Sequence, residues 1–396
     1  MTDRPTPAIV VVPDGGRASA RTVPPWQGIR QAYRCRDRDR GGSPSAPPPA
    51  SCALFLSALL LLAGCGGNPP SERGASRADG EVTLILGAYT TPREAYRDSI
   101  LPAFERLWRE RSGQSVVFRE SYQASGAQAR AIVEGFEADV AALSLQADLD
   151  RIAGAGLITH DWRAEPNSGV VTTSIVVLAV RKGNPMGIRD WADLARPGLN
   201  VLTPDPKTSG GAQWNVNAMY GAALRGQVEG VAKDDSAAAR DFLARVFRNV
   251  SIMDKGARES MTTFEKGLGD VAVTYENEVL VGRRAGQTYE YVIPRSTILV
   301  ENPAAVVDVY AKEHGVRDAA QAFVDFLRTP EAQRAFAEYG LRPVDPDVGR
   351  EVAAEFPPVQ DLWRVDYLGG WGRVTESLYG RDGVFTRVLE QRGRGR

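Results

Sequence analysis

The sequence predicts an α/β protein whose sheet is parallel in part, and three observations carry the prediction. Strand and helix patterns alternate as βαβαβ between Val82 and Leu143. A second alternating series opens near Thr173. Three strand-to-helix turns, Ser125-Gly126, Ser209-Gly210-Gly211 and Gly256-Ala257, carry small residues able to donate hydrogen bonds. In open α/β sheets ligands bind at the carboxyl ends of strands, where all three turns fall. Three capped helices with no ligand would give the same pattern. At roughly 100–200 residues per domain, the 396 residues have room for two or three domains.

Lysine and arginine (48) nearly balance aspartate and glutamate (49), and no long basic face appears, which argues against a nucleic-acid binder. Cys35, Cys52 and Cys65 all precede the globular part, so neither a disulfide-stapled fold nor a thiolate-rich metal site is expected there. No cofactor and no metal are predicted.

Residues 1–64 read as a leader. The first 50 alternate Pro, Gly, Ser and Arg with little apolar periodicity. Arg30, Arg34, Arg36, Arg38 and Arg40 then precede an 11-residue apolar run, Ala53 to Ala63. A basic region, a short apolar region and small residues are the parts of a secretory signal. The run is too short for a membrane span, which takes about 20 residues. Leu62-Ala63-Gly64-Cys65 resembles the lipobox of bacterial lipoproteins, which implies that Cys65 becomes the lipidated first residue of the mature chain. Residues 65–80, rich in Gly, Pro, Ser and Arg, read as a flexible tether of roughly 20 Å.

The globular part opens on a strand, Val82 to Leu86. A helix follows from Pro92 to about Arg111, with Ile100, Phe104, Leu107 and Trp108 on one side, and then a strand at Val116 to Phe118. After Ser125-Gly126, the i, i+3, i+4, i+7 spacing of Ala129, Ile132, Val133 and Phe136 predicts a helix, and Ala138 to Leu143 a strand. In the second series Ser174 to Val180, Val201 to Thr203 and Val250 to Ile252 read as strands. Met261, Phe264 and Leu268 mark a helix, and Val271 to Glu278 reads as a strand ending in polar residues. Ile298 to Val300 is strand-like, and Ala319 to Thr329 and Pro330 to Tyr339 are amphipathic helices.

The most informative stretch is Asp205 to Asn215, where a proline-stiffened turn meets Gly210-Gly211 at the start of a helix whose apolar face is Val216, Met219, Tyr220 and Ala223. The first N–H groups of a helix have no internal partner and carry the positive end of its dipole. Glycines let an oxyanion touch that backbone, and Ser209 adds a hydroxyl, so the stretch reads as an anion cradle. An ordinary Ser-Gly cap is the alternative reading.

From Val82 to about Val388 the chain resembles the sulfate-binding subunits of bacterial ABC importers. The resemblance is carried by Tyr89 through Glu94, Ser125-Gly126, Glu137-Ala138-Asp139, Val180 through Pro185, Pro206 through Ala212, Gly256-Ala257-Arg258, Glu276-Asn277-Glu278 and Gly369-Gly370-Trp371. It implies a two-lobed, type II periplasmic-binding-protein fold in which each lobe is a mixed sheet flanked by helices and the anion is sealed between them. Lobe 1 would comprise residues 81–174 and 300–396, and lobe 2 residues 175–299.

Ser125 would hold sulfate from lobe 1 through its N–H and hydroxyl, and Ser209, Gly210, Gly211 and Ala257 would donate from lobe 2. Tyr275 stands where the family typically donates an indole N–H. Arg258 would organise the cleft from behind these donors, as would Thr90, which stands where the family often has an aspartate. The implied protein is not an enzyme. It would be a monomer on the periplasmic or cell-surface side, touching the membrane through its lipid anchor alone and serving the permease and ATPase of an importer.

The residues agree with this picture on physical grounds. Burying a bare dianion costs on the order of tens of kcal/mol by Born estimates, so many oriented donors must replace its water. A cleft of donors alone suits sulfate and leaves the proton of hydrogen phosphate without an acceptor. Thiosulfate, molybdate or phosphate as the ligand is the alternative reading. An enzyme is more distant: His160 and His314 sit in a loop-like and a helix-end setting, and Gly267-Leu268-Gly269-Asp270-Val271-Ala272 lies between helix and strand, the reverse of a dinucleotide turn. Glu276 and Glu278, two apart on the predicted strand, would share one face.

Overall fold

The computed structural model describes residues 80–394. The leader, Cys65 and all of the tether but its last residue lie outside the described residues. Ten strands join in one mixed sheet. They are β1 (Glu81–Tyr89), β2 (Ser115–Gln123), β3 (Val140–Ala142), β4 (Val170–Val180), β5 (Val201–Leu202), β6 (Val250–Ile252), β7 (Val271–Tyr275), β8 (Glu290–Val292), β9 (Ser296–Val306) and β10 (Asp361–Trp363). Their order is β2-β1-β3-β9-β4-β7-β5-β6, with β10 beside β9 and β8 beside β4.

In the main order, parallel pairing is confined to the two ends. β1 runs parallel to β2 and β3, and β5 runs parallel to β6 and β7. Between these groups β4 and β9 run antiparallel and change partners along their length. β4 pairs with β9 as far as Ile175 and with β7 from Val176 onward. β9 pairs with β4 over Leu299 to Pro303 and with β3 from Ala304. Both strands therefore belong to both halves of the sheet.

Each half has its own core. Leu84, Tyr96, Phe104, Val140, Phe323 and Phe336 are buried together in the first. In the second, Leu178 is buried with Trp191, Trp214, Phe242, Phe247 and Val271. Among the described residues no helix is long and apolar enough to cross a membrane.

The structure departs from the sequence reading where a local signal meets a longer-range one. The helix expected from Pro92 to Arg111 is a short turn, Arg93–Ala95, a π-helical turn, Tyr96–Ile100, and a regular helix, Leu101–Ser112. Pro102 has no N–H for the preceding turn and its ring crowds that turn, which accounts for the widening just before it. The strand read at Ile298 to Val300 runs from Ser296 to Val306; Asn302 and Pro303 interrupt the apolar pattern where β9 passes between halves, which hides its second part from the sequence reading. The helix marked by Leu268 ends at Glu265, and Leu268 is exposed beyond it. The expected strand Val271 to Glu278 stops at Tyr275; Glu276–Arg284 is a helix, so Glu276 and Glu278 lie in a first helical turn and not on one strand face.

The division of the chain at residue 300 also needs correction. Trp363, Val365, Trp371, Val374, Leu378, Phe385 and Val388 are buried in the same core as Trp214 and Phe247. The end of the chain thus packs on the second half, whereas the reading from sequence put all of 300–396 with the first. Phe385 meets Phe247 edge-on at 4.7 Å between centroids. Phe385→Ala should therefore destabilise the second half by ~3–5 kcal/mol, the usual cost of emptying a buried phenylalanine site. Denaturant unfolding measures it, and a loss under about 1 kcal/mol would show that the terminal helix is not part of that core.

Candidate functional site

The carboxyl ends of β1, β2 and β3 face those of β5, β6 and β7 across the middle of the sheet, and the turns that leave them meet there. Three helices begin at this junction: Ser125–Val133 from the first half, Gly210–Leu224 and Ala257–Glu265 from the second. Glycine allows the approach. A Cβ on Gly210 would lie 2.8 Å from Leu145 Cγ and 3.1 Å from the Cβ atoms of Ser125 and Ser144. One on Gly211 would lie 3.4 Å from Ala257 Cβ and from Ser209 Oγ, and 3.6 Å from Tyr275 Cζ. Ser125, Ser209, Gly210, Gly211, Ala257 and Tyr275 are thus gathered at one place, and all six are buried.

What these residues present is mostly backbone N–H. First-turn N–H groups have no acceptor in their own helix. Those of Ser125, Gly210, Gly211 and Ala257 have none elsewhere among the described residues. Ser209 differs: its N–H donates to Asp205 O at 2.9 Å, and its Oγ accepts from Ala212 N at 3.2 Å as the helix cap. Its hydroxyl proton remains to be given. The Ser125 hydroxyl, expected to donate to a ligand, donates instead to Asp148 Oδ2 at 2.6 Å and accepts from Ser144 N at 2.9 Å. Ser125 therefore offers its N–H alone.

Ser144, which the sequence reading did not single out, ties the halves together. Its carbonyl accepts from the Trp214 indole at 2.8 Å and from Asn302 Nδ2 at 3.2 Å, and its Oγ lies 2.7 Å from the Tyr275 hydroxyl. Burial pushes the Tyr275 pKa well up, so the phenol keeps its proton. Burial also raises the Asp148 carboxyl to about 6, against the lowering effects of Ser125, Arg151 and Arg130. The signal for Ser144 was its position directly after the apolar run of β3, at a strand's carboxyl end. Asp148 and Trp214 had no comparable signal.

Thr90 and Arg258 stand at the edge of this junction and line a recess of about 360 Å³ between the halves. Arg258 Nη2 donates to Glu94 Oε2 at 2.9 Å and to Thr91 O at 3.3 Å, both in the first half. Its Nε lies 3.2 Å from Glu278 Oε2 in the second. Burial raises the pKa of Glu278, and Arg258 opposes that. Glu276 is fully buried and held by Arg342 through two bonds of 2.6 and 3.0 Å. Neither glutamate is placed as half of an acid–base pair. His160 is paired with Asp308 at 2.6 Å and His314 with Asp139 at 2.7 Å, both away from the junction.

A bilobal sheet joined by two shared strands, with helix N-termini turned into the gap, defines the class of solute-binding proteins with a type II periplasmic fold. The chain belongs to the bacterial extracellular solute-binding protein family, whose profile matches residues 84–342. It is 42% identical over 342 residues to a sulfate-binding protein of Synechococcus elongatus, covering 86% of this chain and 95% of the relative. It is 34% identical over 340 residues to a thiosulfate-binding protein of Pseudomonas aeruginosa, covering 84% and 98%. Among solved structures, the sulfate-binding protein SubI from Mycobacterium tuberculosis superposes with a TM-score of 0.69 at 38% identity, over 75% of this chain and 99% of that one.

Because a Cβ on Gly210 would lie 2.8 Å from Leu145 Cγ and 3.1 Å from the Cβ atoms of Ser125 and Ser144, Gly210→Ala should hold the halves apart. Small-angle scattering in the same buffer, with and without an added oxyanion, should give a larger radius of gyration than the parent. An unchanged radius would show that this contact does not limit the approach.

Proposed function

We propose that the chain is an extracytoplasmic substrate-binding protein that captures sulfate between the two halves and delivers it to the permease and ATPase of an ABC importer. The observation that carries the reading is the meeting of three helix starts whose first-turn N–H groups, on Ser125, Gly210, Gly211 and Ala257, have no acceptor among the described residues. Helix N-termini bind anions through those groups and through the helix dipole, without a full countercharge. Ser209 adds a hydroxyl, and Tyr275 stands beside it through Gly211. Arg258 acts as a clasp between halves, since its partners Glu94 and Glu278 come from opposite sides.

Sulfate is favoured over thiosulfate because relatives named for sulfate reach the higher identity. Binding closes the cleft and no bond is made or broken. Cys65 carries the lipid that holds the protein at the outer face of the membrane, and residues 66–80 are the tether.

Calorimetric titration of the mature chain with sulfate, thiosulfate, molybdate and phosphate tests the reading. Gly211→Asp is the sharp variant, since it sets a carboxylate against a doubly charged ligand. At an effective dielectric near 20, a single charge about 4 Å away already costs ~4 kcal/mol, so sulfate affinity should fall about a thousandfold or more. Retained affinity with an unchanged melting temperature would put the anion elsewhere. Cys65→Ser should release the protein from the membrane fraction, and protein that stays membrane-bound would count against the anchor.

A further inference from the structure

The Glu137-Ala138-Asp139 motif takes no part in the proposed anion site. The structure sets both of its carboxylates against one imidazole. His314 Nδ1 lies 2.7 Å from Asp139 Oδ1, and His314 Nε2 lies 3.2 Å from Glu137 Oε2. His314 directly follows the helix Asp308–Glu313, so the ring joins the end of that helix to the segment that enters β3.

Asp139 is fully buried and held in place. Its Oδ2 accepts from Ile85 N at 2.7 Å, its N–H donates to Ile85 O at 2.8 Å, and its carbonyl accepts from Val307 N at 2.8 Å. A carboxylate only accepts and a neutral imidazole has a single N–H, so only the doubly protonated ring can bond both carboxylates. Among the described residues, Asp139 and Glu137 are the charged groups that act on the ring from other elements. The helix itself carries Asp308, Tyr310, Lys312 and Glu313. Asp308 is taken by His160 and by Arg317 of the neighbouring helix Arg317–Phe326, and Tyr310 gives its phenol proton to Ile132 O at 3.2 Å. Burial pulls the His314 pKa down, but the bonds to Asp139 and Glu137 and their charges outweigh it and hold it above the ordinary histidine value.

We propose that His314 is a pH-sensitive catch on the first half: doubly protonated, it ties the helix Asp308–Glu313 to Asp139 and Glu137 at once, and on losing a proton to water it keeps Asp139 and drops Glu137. The buried carboxylate holds the remaining proton at Nδ1, which sets the Nε2 lone pair against Glu137 Oε2. Glu137, whose side chain is 59% exposed, then turns out into water. Stability follows the proton. A histidine whose pKa is raised by folding contributes fully below its unfolded value of about 6.5 and loses that contribution as pH rises through its folded value. The inference is independent of what the junction binds.

Proton NMR of the mature chain tests it, because the chain has only two histidines and His314→Gln identifies one ring by its loss. Should that variant not fold, His160→Gln makes the same assignment. The His314 ring should titrate with a midpoint above about 6.5, and Glu137→Gln, whose amide can donate to a neutral Nε2, should lower it. A parent midpoint at or below about 6.5, or one that Glu137→Gln leaves unchanged, would overturn the inference. Thermal unfolding between about pH 5.5 and about pH 9 reads the second consequence. The melting temperature of the parent, less that of Glu137→Gln, should fall as pH rises above about 6.5. A difference that stays constant or grows would overturn the catch even where the ring titrates as expected.

Discussion

The structure depends on one constraint: helix-start N–H groups turned toward one another across a gap must find a partner or lose more than they contribute. An unmatched buried donor costs about 1–3 kcal/mol. Here the donors of Ser125, Gly210, Gly211 and Ala257 share one buried place. Such an arrangement is stable when an anion supplies the acceptors. The two strands that serve both halves, β4 and β9, make this possible, because they leave the gap bounded by strand ends on both sides.

Charge around the junction is handled by pairing at a distance from it. Arg258, Glu94 and Glu278 form a chain that crosses the gap at its edge, and Arg342 holds the buried Glu276. Removing Arg258 or Arg342 would leave a fully buried carboxylate, Glu278 or Glu276, uncompensated. The cradle itself keeps dipoles and hydroxyls. A fixed cation there would bind a dianion strongly but would also slow its release, and a carrier must release.

Much of this was legible in the sequence, and the parts that were share a cause. Ser125-Gly126, Ser209-Gly210-Gly211 and Gly256-Ala257 announce themselves because a strand pattern, a small-residue turn and a helix pattern follow one another within a few residues. The structure brings all three together. What was not legible depends on partners far apart in the chain. Ser144 is joined to Trp214, Tyr275 and Asn302, which lie 70, 131 and 158 residues away. The commitment of the Ser125 hydroxyl to Asp148 spans 23 residues and no periodicity records it. The terminal segment from Trp363 follows the same rule: its aromatic residues are visible, but the core they enter is not.

On the proposed function, Ser144 makes closing and binding one process. Its carbonyl and hydroxyl bond the second half through Trp214 and Tyr275, while its N–H holds Ser125, whose own N–H faces the gap. Opening the halves breaks those bonds and moves the Ser125 donor away from the glycines in the same motion. Each bond between neutral groups contributes only about 0.5–1.5 kcal/mol, too little to keep the halves shut against the cost of unmatched donors. An anion that joins both sets of donors tips that balance. A ligand shifts an equilibrium only by its differential affinity for the two states, and on the proposed function that difference comes from Ser125, because the other backbone donors, on Gly210, Gly211 and Ala257, all lie in the second half.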